Sequence, residues 1–312
     1  MHYPSPSARP TVGLPYRGLP VLMYHHISPI PGPYTVHPER FRAQLRWLKK
    51  AGYQCLGARE LLAYHQGRTP LPGRSVVLSF DDGWLDNWVY AVPVLRSEGF
   101  RALLFVVTGW PCDGPARSGE ESAASVADAD HDRCMSLAGN PQQRDSVVMR
   151  WSELRAARKQ GVFDLECHSH SHGLWWQNPH RDRIHRALEE DLALSRETFH
   201  RQLGAEPQQF CWPRGQFTPA MGRLAHKAGF SLQHSTLRGC NPGDCEHRVV
   251  RRLNVEDRPL SWFRRRVRFY SRPWLSALPA LAHQHLQARR LRQQLGDRLN
   301  RSDLAASPFR LV

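Results

Sequence analysis

The sequence predicts an α/β fold, one large barrel of βα units followed by a basic helical C-terminal tail. Three observations predict it. Short apolar runs alternate with stretches of helical periodicity along most of the chain, the pattern of parallel βα units. A length of 312 residues holds a single barrel of roughly 200–250 residues plus appendages. The formal net charge of +15 is unevenly spread, with eleven arginines against Asp297 and Asp303 in residues 261–312. The expected division is an extended Pro-rich arm over 1–18, the barrel over 19–260 and the basic tail over 261–312.

The elements follow in order. Residues 19–24 form the first expected strand, which runs directly into His25 and His26. A helix follows, with Pro38 in its first turn, Phe41, Leu45 and Leu48 at i, i+4, i+7, and Gly52 as its stop. Residues 76–80 make a strand apolar enough to be buried on both faces. Residues 85–97 make a helix kinked near Pro93, and 102–107 the next strand. A helix over 151–160 ends at Gly161, and a strand covers 163–167. Ile184, Leu188, Leu192 and Phe199 form the inner stripe of a long helix ended by Gly204. Residues 209–212 and 230–234 are short strands flanking a helix over 219–228. Two stretches depart from this alternation. Residues 111–147, rich in Gly, Ala, Ser and Asp, read as a flexible surface insertion. The tail mixes aromatics with arginines from Trp262 and turns helical around 281–299.

Composition excludes several classes. A hydrophobic fraction of 41% with ten tryptophans marks a globular body, and no apolar run of about 18 residues could span a bilayer. No apolar segment follows the first ten residues as in a secretory signal, so cytoplasmic residence is expected, with a position peripheral to the inner membrane face as an alternative tied to the basic tail. Seven cysteines without a CxxC pair suit reduced thiols, and no structural disulfide is expected.

The chemistry concentrates at two strand ends. The first strand closes on Asp81, Asp82 and Gly83, which read either as an Asx-type turn or as paired carboxylates where barrels place catalytic groups. The second closes on Glu166-Cys-His-Ser-His-Ser-His172. Any one of these histidines alone reads more simply as solvent-facing or core. Their i, i+4 spacing puts His168 and His172 on one face if the segment begins a helical turn. An Asp, His, His set with open positions is an ordinary catalytic metal site.

Ser-Phe-Asp-Asp-Gly at 79–83, His-Ser-x-x-His at 168–172 and Trp-Pro-Arg-Gly at 212–215 resemble the motifs of the polysaccharide deacetylases, carbohydrate esterase family 4. Leu-Met-Tyr-His at 22–25, Tyr-Thr-Val-x-Pro-x-x-Phe at 34–41 and Met-Arg-Trp-Ser-Glu-Leu at 149–154 resemble the branch typified by poly-β-1,6-N-acetylglucosamine deacetylases. The match runs in consistent order over roughly 19–257. It implies an irregular (β/α)7 TIM-like barrel, Asp81 as general base, and Asp82, His168 and His172 as ligands of a divalent metal, zinc first, with cobalt, nickel or iron as alternatives. His170 lies between the ligands and is not one in the family pattern. The tetrahedral oxyanion needs fixed donors, supplied by the metal and, by analogy, the backbone N–H of Arg214, since Pro213 has none.

The general acid is less direct. The family carries it on a C-terminal strand, whereas here no apolar strand ends in histidine after residue 260. The N-terminal strand has the right shape, which selects His25 over His26. Where many members have an arginine orienting the base, this chain has Cys211; Arg252 either replaces it or is a surface arginine. Tyr24, Trp84, Trp212 and Pro213 are candidate substrate contacts, and the three aromatics could equally be core. The expected substrate is an N-acetylated polysaccharide or oligosaccharide. The alternatives are a carbohydrate-binding barrel without turnover and an amidohydrolase of small non-sugar amides. For residues 261–312 they are a solvated helix, an anionic membrane surface or the glycan-synthesis machinery, with nucleic acid least favoured because no recognised binding fold accompanies the charge.

Overall fold

The computed structural model describes residues 18–117, 129–177, 181–241 and 249–275, with positions 286 and 289. Strand β1 (Val21–Tyr24) leads into two short strands, β2 (His26–Ile27) and β3 (Thr35–Val36), which pair with each other beside the barrel. Helix α1 (Pro38–Lys50), strand β4 (Gln54–Cys55) and helix α2 (Ala58–His65) precede β5 (Ser75–Asp82). One π-helical turn over Asn87–Ala91 then feeds α3 (Val92–Glu98), so the expected kink near Pro93 falls at its first turn. There follow β6 (Ala102–Val106), α4 (His131–Gly139), α5 (Trp151–Lys159), β7 (Phe163–Cys167), α6 (Arg181–Leu203), β8 (Gln209–Cys211), α7 (Pro219–Lys227), β9 (Leu232–His234), β10 (Leu253–Asn254) and α8 (Leu260–Tyr270).

The sheet runs β10-β1-β5-β6-β7-β8-β9, every pairing parallel, with β4 added against the start of β5. A parallel bridge between His234 and Val250 brings the two ends of this path together and curls it into the deformed barrel. Because all strands point the same way, their C-terminal ends share one rim, where barrel enzymes place their chemistry.

Alternation sorts the side chains of β5, which is buried throughout. Val77 packs with Val21, Leu103, Phe105, Leu232 and Val250 in one cluster inside the barrel. Val76, Leu78 and Phe80 join a second cluster beneath the helices, with Phe41, Leu45, Leu48, Ile184, Leu188, Leu192 and Phe199. The two helical stripes anticipated from periodicity therefore face the core.

Two expectations change. Within 111–147, residues 118–128 lie outside the described residues, but α4 is ordered structure: Cys134 and Ala138 are buried against Trp84, Val107, Trp110 and Val148. Small residues that look like linker composition are here the close-packing face of a helix. The tail turns helical earlier than expected, at α8, which buries Phe263, Val267 and Tyr270 while Arg264 and Arg268 lie over the Trp47 ring of α1. The expected helix at 281–299 and the arm at 1–17 lie outside the described residues, apart from positions 286 and 289. No described helix is long and apolar enough to cross a membrane.

Candidate active site

The rim gathers side chains from the ends of five strands, β1, β5, β7, β8 and β10. On β5, Asp81 continues the inward series of Val77 and Ser79. Asp82 breaks the alternation because its φ is +74°, a left-handed backbone that carries its carboxylate toward the loop after β7. That loop is not the helical turn the i, i+4 spacing suggested. Ser169 and His172 both adopt positive φ, 72° and 55°, and the chain is pinned instead by Asp191 of α6. Its carboxylate accepts from the backbone N–H groups of His170 (2.7 Å) and Ser171 (2.9 Å) and from the Ser171 hydroxyl. Among the described residues, five non-glycine positions have positive φ, and four of them are Asp82, Ser169, His172 and Arg214. The fifth, Tyr34, packs its ring 5.0 Å from that of His25. Strain of this kind persists only where surrounding structure over-determines it, and it clusters at functional sites.

This backbone brings His168 Nε2 to 3.4 Å and His172 Nε2 to 3.3 Å from Asp82 Oδ1. Each partner is prepared for a cation. His168 Nδ1 donates to the Cys211 carbonyl at 2.8 Å, which leaves the Nε2 lone pair facing Asp82. Asp82 Oδ2 accepts from the Trp84 indole N–H at 2.9 Å, while Oδ1 is buried with no hydrogen-bond partner. An orphaned buried oxygen facing two imidazole nitrogens needs a positive charge between them. Tetrahedral ligands about 2.0–2.1 Å from one ion lie about 3.3 Å apart, the spacing seen here. The Asp, His, His set thus fits a divalent cation. A second grouping, Asp81, His168 and Cys211, does not, because a guanidinium already occupies both oxygens of Asp81.

That guanidinium is Arg252, fully buried just before β10. Its Nη1 and Nη2 donate to Asp81 Oδ1 (2.6 Å) and Oδ2 (2.8 Å). Further bonds run from Nε to the Ser235 carbonyl, from Nη1 to Ser79 Oγ and from Nη2 to Cys211 Sγ. Burial works to raise the Asp81 carboxyl, but Arg252, aided by His168 and His25, outweighs it and holds the group below the usual carboxylate range. For Asp82, burial is outweighed by the facing imidazoles of His168 and His172, which hold it well below that range. Of the two possibilities left open for Arg252, a surface position is overturned.

His25 follows β1, its Nε2 3.8 Å from Asp81 Oδ2. Burial pushes its ring down to about 4, against the opposing pull of Asp81 and Asp82. His26 points elsewhere: Nδ1 lies 2.6 Å from Asp86 Oδ2 and Nε2 3.1 Å from His131 Nδ1.

The substrate contacts need correction. Trp84 is fully buried, and its N–H serves Asp82. Trp212 is fully buried, stacked on Phe217, with its N–H on Gln233 Oε1. Tyr24 stacks on Phe80 beneath the helices, its hydroxyl on Gln44. No sugar can stack on any of the three; their apolar strand neighbours already cover them. Pro213 and Arg214 do line a cleft beside His172. Sequence reading missed the other walls of that cleft, Arg144, Trp110 and Trp176, and also His131 and Asp86, because none sits in a strand-end motif.

Comparison with known proteins agrees with this geometry. The family model for polysaccharide deacetylase matches residues 68–232. A poly-β-1,6-N-acetyl-D-glucosamine N-deacetylase of Staphylococcus aureus is 25% identical over 235 residues, 72% of this chain and 69% of that protein. The Escherichia coli K12 enzyme of the same name is 28% identical over 113 residues, 34% of this chain and 17% of that protein. The chain thus spans a small part of that relative's length, and only 32% of a Bacillus subtilis relative. The structure of IcaB from Ammonifex degensii superposes with a TM-score of 0.62 at 25% identity, covering 80% of this chain and 96% of that one. The barrel, the paired carboxylates on β5, the histidine loop after β7 and the extent of the family match together establish that this chain belongs to the polysaccharide deacetylase family, hydrolases acting on carbon–nitrogen bonds.

Proposed function

We propose that the protein is a metal-dependent N-deacetylase that hydrolyses the acetamide of N-acetylhexosamine units in a polysaccharide or glycan precursor. The observation that carries this is the approach of His168 and His172 to Asp82 Oδ1, at 3.4 and 3.3 Å, beside an Asp81 carboxylate kept ionised by Arg252. The names of the S. aureus and E. coli relatives support an N-acetylglucosamine polymer as the substrate class.

Asp82 Oδ1, His168 Nε2 and His172 Nε2 would hold the cation, zinc or one of cobalt, nickel and iron. When bound, it supplies acidification of a water molecule and polarisation of the amide carbonyl. Asp81 takes the proton of the attacking water. The two guanidinium bonds fix the direction of its lone pairs and keep it unprotonated at neutral pH. From Asp81 the proton has a short path to His25, 3.8 Å away. The His25 ring rests neutral because of its burial and, once charged, is a strong acid toward the leaving nitrogen. The oxyanion finds a fixed donor in the backbone N–H of Arg214, turned by its positive φ beside His172.

The test is acetate release from N-acetylglucosamine oligomers by wild type and Asp81→Asn, with metal analysis of both. Wild type releases acetate, and the variant keeps its metal while turnover falls about 10²–10⁴-fold. Metal in both with no release from any N-acetylated glycan points instead to a binding barrel. Release only from small non-sugar amides points to an amidohydrolase.

A further inference from the structure

The cleft beside His172 has a volume of about 440 Å³, within the range of small-ligand sites. Its chemistry is one-sided. No carboxylate is among the described residues that line it, whereas Arg144, Arg214, His170 and His172 are. Arg144 is anchored with donors to spare: Nη1 donates to the Gly109 carbonyl at 2.6 Å, and Nε is buried with no hydrogen-bond partner. No described carboxylate pairs with this guanidinium. Arg214 is exposed on the opposing turn. Trp110 and Trp176, both buried, form the apolar floor of the cleft.

A homopolymer of N-acetylhexosamine gains one ammonium for every acetyl removed. A cleft edged by guanidinium groups and without acids repels that product and any partly deacetylated chain. The same cleft suits a glycan carrying negative charge next to the N-acetylated sugar, because the planar fork of arginine matches two oxygens of one anion. The +15 net charge of the chain raises the encounter rate with such a polymer in the same sense.

We propose that this cleft is a subsite for an oxyanion, a carboxylate or a phosphodiester, on the glycan residue adjoining the one deacetylated, with Arg144 as its receptor. The substrate is then an acidic heteroglycan. This rests on the deacetylase activity proposed above, so the test separates binding from turnover.

Binding is measured by calorimetry on the full chain with ligands that have no acetamide: a galacturonate tetramer, a hexose phosphodiester oligomer and neutral cellotetraose. At least one acidic ligand is expected to bind ten-fold or more tighter than cellotetraose. Arg144→Gln abolishes that preference, and Arg144→Lys restores part of it. Preference for the galacturonate alone identifies a carboxylate as the anion, and preference for the phosphodiester alone identifies phosphate. Equal affinity for acidic and neutral ligands in wild type, or a preference untouched in Arg144→Gln, overturns the subsite. Acetate release is then compared on a tetrasaccharide alternating N-acetylglucosamine with glucuronate and on chitotetraose. Arg144→Gln is expected to raise KM on the first substrate about ten-fold more than on chitotetraose. Acidic binding without acetate release from either substrate leaves the anion subsite standing and removes the deacetylase assignment.

Discussion

Replacing Arg252 with methionine tests how Asp81 is held. The pair is wholly buried and joined by two charge-assisted bonds of 2.6 and 2.8 Å. A hydrogen bond to a charged group contributes about 1.5–3 kcal/mol, and removing one partner of a buried ion pair costs about 3–5 kcal/mol. With the arginine gone, burial acts on Asp81 with only His168 and His25 to oppose it, so its pKa rises and part of the base is protonated at neutral pH. About 3 kcal/mol withdrawn from the ionised base corresponds to roughly a hundred-fold loss in rate. The assay is the pH dependence of kcat/KM together with denaturant unfolding. Arg252→Met should lose stability by about 3–5 kcal/mol, lose at least about a hundred-fold in kcat/KM near neutrality, and shift the acidic limb of its profile upward. Arg252 Nη2 lies 2.9 Å from Cys211 Sγ, so an arginine launched from position 211 reaches the same carboxylate. The double variant Cys211→Arg/Arg252→Ala should therefore recover much of the activity. An unmoved acidic limb in Arg252→Met, with activity near wild type, would show that this guanidinium does not set the state of the base.

Other expected outcomes concern metal, proton transfer and burial. Asp82→Ala, His168→Ala and His172→Ala should each lower bound metal, and Trp84→Phe, which removes the N–H from Asp82 Oδ2, should weaken metal affinity about 10–100-fold; equal metal content across the four variants and wild type refutes the ligand set. His25→Ala should retain metal and lose about 10²–10⁴ in kcat, an outcome checked by parallel metal analysis and acetate assays, and undisturbed kcat removes His25 as the acid. Burial lifts Glu166 to about 8. Between the ordinary carboxylate value and 8 the unfolded chain ionises this group while the native one keeps its proton, so stability falls as pH rises through that window and the loss is complete above it. Glu166→Gln should remove the slope, gaining on the order of a few kcal/mol over wild type between pH 5 and pH 8 in denaturant titrations. Parallel stability curves for the two proteins would show that the carboxyl ionises freely.

Much of the fold was legible where strands are long and wholly apolar. β6, apolar and buried throughout, was anticipated within a residue, and β7 was found between the Gly161 helix stop and the histidine cluster although it carries Asp164 and Glu166. The two-residue strands β2, β3, β4 and β10 were not identified, since periodicity needs more residues than they have. α8 was hidden by arginines alternating with aromatics, whose rings turn inward while the guanidiniums cover Trp47. At the site, the residue types were legible but their directions were not. His168 and His172 meet Asp82 through left-handed backbone rather than a helical turn, and nothing in a Ser-x-x-His spacing announces that. The tryptophans read as candidate sugar platforms are buried, because an aromatic in a strand-end motif signals packing as readily as binding. Arg144 and His131 escaped because their segment has the composition of a linker, although Trp110 and Val148 beside it were a signal that it is packed.

Closure of the barrel through His234 and Val250 has a consequence for how the molecule can be divided. The family match stops at residue 232, yet the cation that steadies Asp81 enters from position 252, on the last segment threaded into the ring. A fragment cut at the edge of the match would keep every recognised motif, expose the flank of β1 where β10 had lain, and leave its base without a counter-charge. Completeness of the fold and competence of the reaction are thus secured by the same final stretch of polypeptide.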